Sequence, residues 1–209
     1  MSEKIKVLII VSSFPKPPNL MNLSPWALDQ TKELSKLVDC TVVSPTPKLR
    51  IPKTLNKLLP SKIKKWSDIE DKHNFESFIA LYPRVSIKTY TRKARFNSSS
   101  LVANSWIKIV EETVDVKNFD IILAHHPMVE GLVAKNLKDK YGIPFITIEH
   151  SHDDPFNGNE EYKSNYSLVA NNADAFICPS KHVLNSITAR YSVKKPLVIY
   201  TKSLLKMNS

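Results

Sequence analysis

The chain has 209 residues, of which 42% are hydrophobic and 24% are charged, and its formal net charge is +10. This composition fits one well-buried domain, or at most two small ones, and it excludes a disordered or collagen-like chain. Only three glycines are present and no two are close. A Walker A loop and a GxGxxG dinucleotide fingerprint are therefore excluded, because both need several neighbouring glycines. The excess of basic residues favours contact with phosphate groups.

Cysteine usage and the amino-terminal segment bear on the cellular compartment. Cys40 and Cys178 lie far apart in apolar segments, so we expect no disulfide framework and a reducing environment. The apolar run at residues 7–11 is too short for a signal sequence or a membrane span. The chain is therefore expected to be cytoplasmic.

Strand and helix patterns alternate along most of the chain, which predicts an α/β fold: a single Rossmann-like domain with a mostly parallel sheet. Ser24 and Pro25 are typical of a helix N-cap and a first helical position. Between residues 48 and 95 the pattern breaks, and only short strand pieces are predicted, at 81–84 and 85–90. The other predicted elements are, in chain order, strand 5–11, helix 26–37, strand 40–43, helix 101–114, strand 121–124, helix 129–141, strand 144–148, helix 166–171, strand 175–178, helix 181–190 and strand 197–200.

Histidines follow two neighbouring predicted strands at the point where each strand ends. One strand ends at His125 and His126, and the next ends just before His150. A helix joins the two strands, so they should be parallel, and their carboxyl ends should share one edge of the sheet. Open sheets of this kind bind ligands at that edge, and we therefore expect a polar substrate there.

The same residues allow a second interpretation, in which the chain is a metal-dependent hydrolase. Imidazole and carboxylate groups are the usual ligands of zinc and iron, and His125 and His126 could act together with His150, His152 and Asp153. However, the sequence has no HExxH spacing and no supporting cysteine near these residues. A site for a resident metal is therefore not expected, and the hydrolase is kept as an alternative.

A basic and apolar segment at residues 48–66 indicates a possible contact surface. Lys62, Lys64, Lys65 and Trp66 belong to it, and interleaved lysines and apolar residues are typical of segments that lie on anionic membranes. The alternative is an ordinary loop and short helix packed on the domain. Nucleic acid is not expected as a partner, because no nucleic-acid-binding motif accompanies the charge.

Tryptophans at helical spacing indicate core positions. Trp26 and Trp106 each fall in a predicted amphipathic helix, so both are expected to pack inside the domain.

Four stretches of the chain carry a recognisable pattern when they are taken in order. They are KIKVLIIVSSFPKPP with SPWALDQTKELSKL, then FDIILAHHPMVEGLVAKNL, then IPFITIEHSHDD, and finally NNADAFICPSKHVLNSI with KPLVIY. Together they resemble the N-terminal half of a family 4-like glycosyltransferase with the GT-B architecture. The likeness covers nearly the whole chain, with His125 and Gly131 on the second motif and His150 and Asp153 on the third.

The resemblance implies that a sugar is transferred with retention from a nucleotide-sugar donor to a glycan or lipid-linked acceptor. Glycan or surface-polysaccharide synthesis is the implied setting, and no other cofactor is implied. His150 would be the catalytic residue facing the transferred sugar, while Ser24, His125, His126 and Asp153 would bind substrate. In this interpretation the imidazole of His150 bonds a sugar hydroxyl or stabilises charge on the departing phosphate.

Departures from the family pattern limit what the resemblance implies. Ser151 stands where a turn glycine is usual, and bulkier residues replace the glycine pair of the first loop. After Tyr200 the family continues into a donor-binding domain, whereas this chain reads TKSLLKMNS. We therefore expect an acceptor-binding domain at residues 1–200, an unpatterned tail at 201–209 and no donor domain, so the chain is not expected to be active alone. A non-catalytic subunit that docks on a separate donor domain is a further alternative, and contact with the inner face of the membrane is an expectation.

Overall fold

A computed structural model describes residues 3–17, 25–48, 69–150 and 159–199. Within these ranges the chain forms two sheets, with helices packed against the larger one. The strands are β1 (Lys6–Ile10), β2 (Asp39–Val43), β3 (Thr46–Lys48), β4 (Lys72–Asn74), β5 (Ile79–Leu81), β6 (Arg84–Ser86), β7 (Ile121–His125), β8 (Phe145–Ile148), β9 (Ala175–Cys178) and β10 (Pro196–Val198). The helices are α1 (Pro25–Ser35), α2 (Ile87–Tyr90), α3 (Arg92–Asn97), α4 (Ser99–Thr113), α5 (Val129–Tyr141), α6 (Glu160–Asn172) and α7 (Lys181–Thr188), with a 3-10 turn at Val116–Asn118.

The larger sheet has the strand order β10-β9-β8-β7-β1-β2-β5-β4, and β3 pairs with β6 in a second sheet. Every strand pair is parallel except β4 with β5, which is antiparallel. The expected α/β fold with a mostly parallel sheet is therefore confirmed. The chain runs from β1 to β2 on one side, whereas β7 lies on the other side of β1, so the strand order reverses between β1 and β7. Such a reversal opens a crevice at the carboxyl ends of the strands.

The two faces of the sheet are covered because the central strands are apolar on both sides. In β1, Leu8 and Ile10 belong to the core cluster that includes Trp106 of α4. Val7 and Ile9 of the same strand belong to a second cluster on the other face, which includes residues of α1. This alternation follows from the two-residue period of a strand. Trp106 is completely buried, as the sequence predicted.

Helix ends follow the chemistry that the sequence indicates. Gly142 ends α5 with φ of +76°, and its N–H donates to the carbonyl of Lys138 at 2.8 Å. A residue without a Cβ adopts this left-handed conformation at no steric cost. Ser180 begins α7, and its hydroxyl accepts from the N–H of Val183 at 3.2 Å.

The structure corrects the prediction for residues 85–90. Only Arg84–Ser86 is a strand, because the Ser86 hydroxyl accepts from the N–H of Lys88 and begins the short helix α2. The short strands β4 and β5 were not predicted, since three residues are too few to show a period. None of the helices in the described ranges is long and apolar enough to span a membrane.

Candidate functional site

The candidate site lies at the carboxyl edge of the large sheet, where the strand order reverses. β7 ends at His125, and His150 follows the end of β8 by two residues. Helix α1 begins at this edge because it follows the carboxyl end of β1, and Trp26 is its second residue. The sequence prediction that the carboxyl ends of β7 and β8 bring the histidines together is thus matched by the structure.

Three imidazoles and one indole form a ring cluster, defined here as Trp26, His125, His126 and His150. The ring centroid of His150 lies 3.7 Å from that of Trp26, 5.6 Å from that of His125 and 5.3 Å from that of His126. The rings of His125 and His150 are nearly parallel, with an interplanar angle of 11°. The indole lies across both of them, 5.2 Å from the ring of His125. Trp26 is only partly buried, so the prediction that it lies inside the core is corrected.

Two nitrogen atoms of the ring cluster are buried without a hydrogen-bond partner among the described residues. They are Nδ1 of His125 and Nε2 of His150. A buried polar atom that lacks a partner costs about 1–3 kcal/mol of folding free energy. Because such atoms are rare, they indicate a place where another polar group is bound.

The two histidines are held in the neutral form. Burial, together with smaller contributions from the neighbouring His126 and His125, lowers the pKa of His150 to about 2. Burial also lowers the pKa of His125 to about 3, with a smaller contribution from His126. At neutral pH each ring therefore has one nitrogen that donates and one that accepts. A neutral imidazole can bond a sugar hydroxyl, whereas stabilising a departing phosphate by a full positive charge is disfavoured here.

The backbone at His126 is strained in a way that links the two strands. His126 has φ of +98°, a region that residues with a Cβ seldom adopt. Its N–H donates to the carbonyl of Ile148 at 3.0 Å, and its carbonyl accepts from the N–H of Gly131 at 3.0 Å. The turn after β7 is therefore tied both to β8 and to the first turn of α5.

Gly131 allows α5 to approach this edge closely. A Cβ at this position would lie 2.8 Å from Cγ1 of Val169 and 3.2 Å from the carbonyl oxygen of His126. Both distances are shorter than an ordinary van der Waals contact. The first turn of α5 can therefore pack here only because residue 131 has no side chain. The glycine that carries the family resemblance thus has a packing role.

Ser12, directly beyond β1, is held by three charged side chains that the sequence analysis did not single out. Its N–H donates to Oε1 of Glu130 at 3.1 Å, and its hydroxyl accepts from Nη1 of Arg95 at 3.0 Å. Its carbonyl accepts from Nζ of Lys16 at 3.2 Å. These charges come from α5, α3 and the loop itself, so the loop after β1 is fixed from three sides.

Lys16 is a buried amine, with 1% of its surface exposed. Its Nζ also donates to the carbonyl of Phe14 at 3.0 Å and to the hydroxyl of Ser44 at 2.9 Å. Three oxygen atoms match the three donors of an ammonium group. Burial nevertheless disfavours the charge and lowers the pKa of Lys16 to about 7. A lysine in a proline-rich loop carries no pattern that would reveal this environment from sequence.

The described part of the chain contains no group of three or more His, Cys, Asp or Glu side chains that could hold a metal ion. The rings of His125 and His150 are stacked, with their centroids 5.6 Å apart. His152 and Asp153, which the hydrolase interpretation also uses, lie outside the described residues. Of the other predicted site residues, Ser24, Lys62, Lys64, Lys65 and Trp66 also lie outside the described ranges.

This arrangement, a reversal point with neutral imidazoles at the carboxyl edge of a parallel sheet, is typical of Rossmann-like domains that bind ligands at this edge. Comparison with known proteins identifies the family. The sequence model of Glycosyltransferase Family 4 matches residues 26–201, and the chain belongs to this family. The expected resemblance to an N-terminal, family 4-like domain of the GT-B architecture is thereby confirmed.

Individual relatives agree with this assignment. The chain is 28% identical over 121 residues to the uncharacterized glycosyltransferase MJ1178 of Methanocaldococcus jannaschii, an overlap of 57% of this chain and 34% of that protein. Sucrose-phosphate synthase from Thermosynechococcus elongatus superposes with a TM-score of 0.69 at 10% identity, over 94% of this chain and 48% of that one. UDP-N-acetylglucosamine 2-epimerase from Rickettsia bellii superposes with a TM-score of 0.54 at 14% identity, over 94% and 44%. At these identities the solved structures show the fold alone, and the chain spans about half of their length.

Proposed function

We propose that this chain binds the acceptor in a retaining transfer of a sugar from a nucleotide-sugar donor. The observation that carries the proposal is the ring cluster, in which His125 and His150 each have a buried nitrogen that no described residue bonds. Neutral His150 bonds an acceptor hydroxyl, and His125 and His126 complete the polar lining. From the family resemblance, Ser24 and Asp153 are also proposed to bind substrate, with Asp153 orienting the imidazole of His150 or the hydroxyl. Family membership supports the class of reaction.

The donor site belongs to a further domain or to a separate subunit in this proposal. Residues 1–200 form the acceptor-binding domain, and residues 201–209 are a tail. No catalysis by the chain alone is therefore proposed. The chain covers 48% of the sucrose-phosphate synthase chain and 34% of the archaeal relative, which is consistent with a half of a larger assembly.

A glycan or lipid-linked acceptor, used in surface-polysaccharide synthesis at the inner face of the membrane, is the proposed setting in a cytoplasmic protein. Its support is the sequence of residues 48–66, with Lys62, Lys64, Lys65 and Trp66 as the contact residues. Co-sedimentation with anionic vesicles at low salt tests this setting. We expect binding that falls when the three lysines are changed to Gln, and equal binding by that variant would contradict it.

The acceptor site is tested by following the imidazole signals of His150 by NMR while glycosides are added to the chain. Methyl glycosides of glucose, galactose, mannose and N-acetylglucosamine serve as probes. We expect at least one probe to shift the His150 signals and to bind more weakly to His150→Gln. His182→Gln, on exposed α7, is the matched control and should bind as the native chain does. Shifts that persist unchanged when His150 is replaced would overturn the proposed site.

A further inference from the structure

Trp26 lies over the imidazole that the proposed function uses. The two ring centroids are 3.7 Å apart and the rings are tilted by 42°, so they are in direct contact. The indole also borders the apolar cluster that includes Ala27, yet part of it stays exposed. Trp26 is therefore partly buried, between the apolar cluster and the imidazole of His150.

Apolar and polar surfaces meet at this point. The exposed part of the indole offers an aromatic face, while Nδ1 of His125 and Nε2 of His150 are buried beside it without partners in the described part of the chain. A pyranose ring has complementary chemistry, because its C–H groups form an apolar face and its hydroxyls lie at the rim. Binding sites of this kind join an apolar lining to a few well-placed polar groups.

We infer that Trp26 is a specificity-determining residue, which covers His150 and provides the stacking face for a pyranose ring of the acceptor. The inference rests on the proposed function, since it takes the acceptor to bind at this edge. Because Nε2 of His150 is buried, a hydroxyl reaches it only when the groups packed around the ring shift, and the contacting indole of Trp26 is one of them. A pyranose ring that stacks on the shifted indole brings its rim hydroxyls beside the imidazole, whereas an open-chain polyol has no flat C–H face with which to stack.

Two measurements on the intact chain test this inference. The first is the titration of His150, followed by NMR in the native chain and in Trp26→Leu, Trp26→Phe and Trp26→Ala. Desolvation is the main cause of the lowered pKa of His150, with His126 and His125 as the other titratable groups acting on it. We expect Trp26→Ala to raise the pKa toward the ordinary 6.5, and Trp26→Phe to keep it near the native value.

The second measurement is saturation transfer from the protein to the four methyl glycosides, with sorbitol as the matched open-chain probe. We expect transfer from indole protons to the C–H protons of at least one glycoside, and none to sorbitol. Trp26→Leu should weaken the affinity roughly two- to tenfold, the size expected for the loss of one aromatic contact, and Trp26→Phe should retain most of it.

The possible outcomes distinguish a failure of the role inferred for Trp26 from a failure of the proposed function. If Trp26→Leu and Trp26→Ala leave both the titration of His150 and the affinity for the glycosides unchanged, the role of Trp26 is wrong. The same holds if no glycoside receives saturation from the indole of the native chain. If His150→Gln weakens glycoside binding and Trp26→Leu does not, the acceptor site stands and the stacking role fails. If Trp26→Leu weakens binding and His150→Gln does not, the stacking face stands and the proposed role of His150 fails.

Discussion

The two edges of the large sheet carry polar side chains for different reasons. At the amino edge, Asp120 accepts from the N–H of Lys6 at 2.8 Å, and Asp174 accepts from the N–H of Phe145 at 3.0 Å. Lys138 adds a second donor to Asp174 at 2.7 Å. Each aspartate thus satisfies the first N–H of a neighbouring strand, and its backbone N–H donates to that strand in return. Polar groups at this edge stabilise the fold locally.

At the carboxyl edge, several polar groups are in arrangements that cost folding free energy and that the packing of the fold does not require. Two imidazole nitrogens lack partners among the described residues, His126 has a strained backbone, and Lys16 is a buried amine. Each of these features lowers the free energy of unfolding. Sites that bind ligands keep such features because the ligand, and not the isolated fold, offsets them. The contrast between the edges supports the proposed place of the site without reference to any relative.

The largest expected effect concerns the histidines at acidic pH. His125 and His150 are neutral in the folded chain, whereas an unfolded imidazole takes up a proton below pH 6.5. The neutral histidines therefore cost no stability above pH 6.5. As the pH falls from 6.5 toward 3, protonation of the unfolded chain progressively lowers the free energy of unfolding. Between pH 6.5 and 5 each histidine should account for about 2 kcal/mol of lost stability.

Urea unfolding at several pH values measures this loss. We expect His125→Gln and His150→Gln each to remove about 2 kcal/mol of the fall in stability between pH 6.5 and 5. His182→Gln, at an exposed position of α7, should leave the fall unchanged. An equally steep fall in all three variants would show that the carboxyl edge does not hold these rings neutral.

The second prediction concerns the close approach of α5. Gly131→Ala places a Cβ 2.8 Å from Cγ1 of Val169, so it should destabilise the fold by about 1–2 kcal/mol despite the better helix propensity of alanine. Thermal or urea unfolding measures the change. In a Val169→Ala background the clash with Cγ1 is removed, and Gly131→Ala should then cost clearly less, with only the tight contact to the carbonyl of His126 remaining.

Gly142→Ala is the matched control for the clash. Nothing lies within 4 Å of a Cβ at residue 142, but its φ of +76° strains any residue that has one. Gly142→Ala should therefore be destabilising to the same extent with Val169 or with Ala at position 169. Rescue of both glycine variants by Val169→Ala would argue against a local clash at Gly131.

The third prediction concerns Lys16 at alkaline pH. The folded chain releases the proton of Lys16 near pH 7, whereas an unfolded lysine keeps it up to about pH 10.5. In that window the unfolded state binds more protons, so stability rises with pH by up to about 1.4 kcal/mol per pH unit. Lys16→Met should remove this slope between pH 7.5 and 9.5, and exposed Lys36→Met should keep it. An unchanged slope in Lys16→Met would mean that Lys16 remains charged, held by its three oxygen partners.

Much of the fold follows from sequence because apolar periods are long and regular in the central strands and helices. The alternation in β1 was predictable from the sequence. The meeting of His125 and His150 was predictable too, because each follows a strand and parallel strands place their carboxyl ends at one edge. Short strands such as β4 and β5 could not be predicted, because their pairing with the rest of the sheet, and not their pattern, makes them strands.

The site was predicted less completely than the fold. Helical spacing correctly placed Trp106 in the core, but the same spacing was misleading for Trp26, which lies in the first turn of α1 and overhangs the edge of the sheet. Spacing reports the face of a helix on which a residue lies, and does not report how far the helix extends beyond its neighbours. The charged partners of Ser12 come from three separate elements, so no local sequence pattern could predict that they meet.

The smallest expected effect on stability concerns Asp174, at the amino edge of the sheet. Burial opposes ionisation of Asp174, but hydrogen bonds from Lys138 and from the N–H of Phe145 outweigh it and lower the pKa of this carboxyl group. Its contribution to stability is therefore present above the pKa of the unfolded carboxyl group and is lost as the pH falls through the lower, folded value. Asp174→Asn should cost about 1 kcal/mol at pH 7, a modest value because the side chain is partly exposed, and should flatten the acid dependence.

Asp139→Asn is the matched control, since Asp139 forms an exposed ion pair with Lys135 one helical turn away and should contribute less. The decisive measurement is the titration of His150 in the Asp174 variant. Because Asp174 satisfies only its own neighbours, the ring cluster at the opposite edge should titrate as in the native chain. A shift of the His150 pKa in Asp174→Asn would mean that the two edges are coupled through β8, and the separation of structural from functional polar groups would then no longer hold.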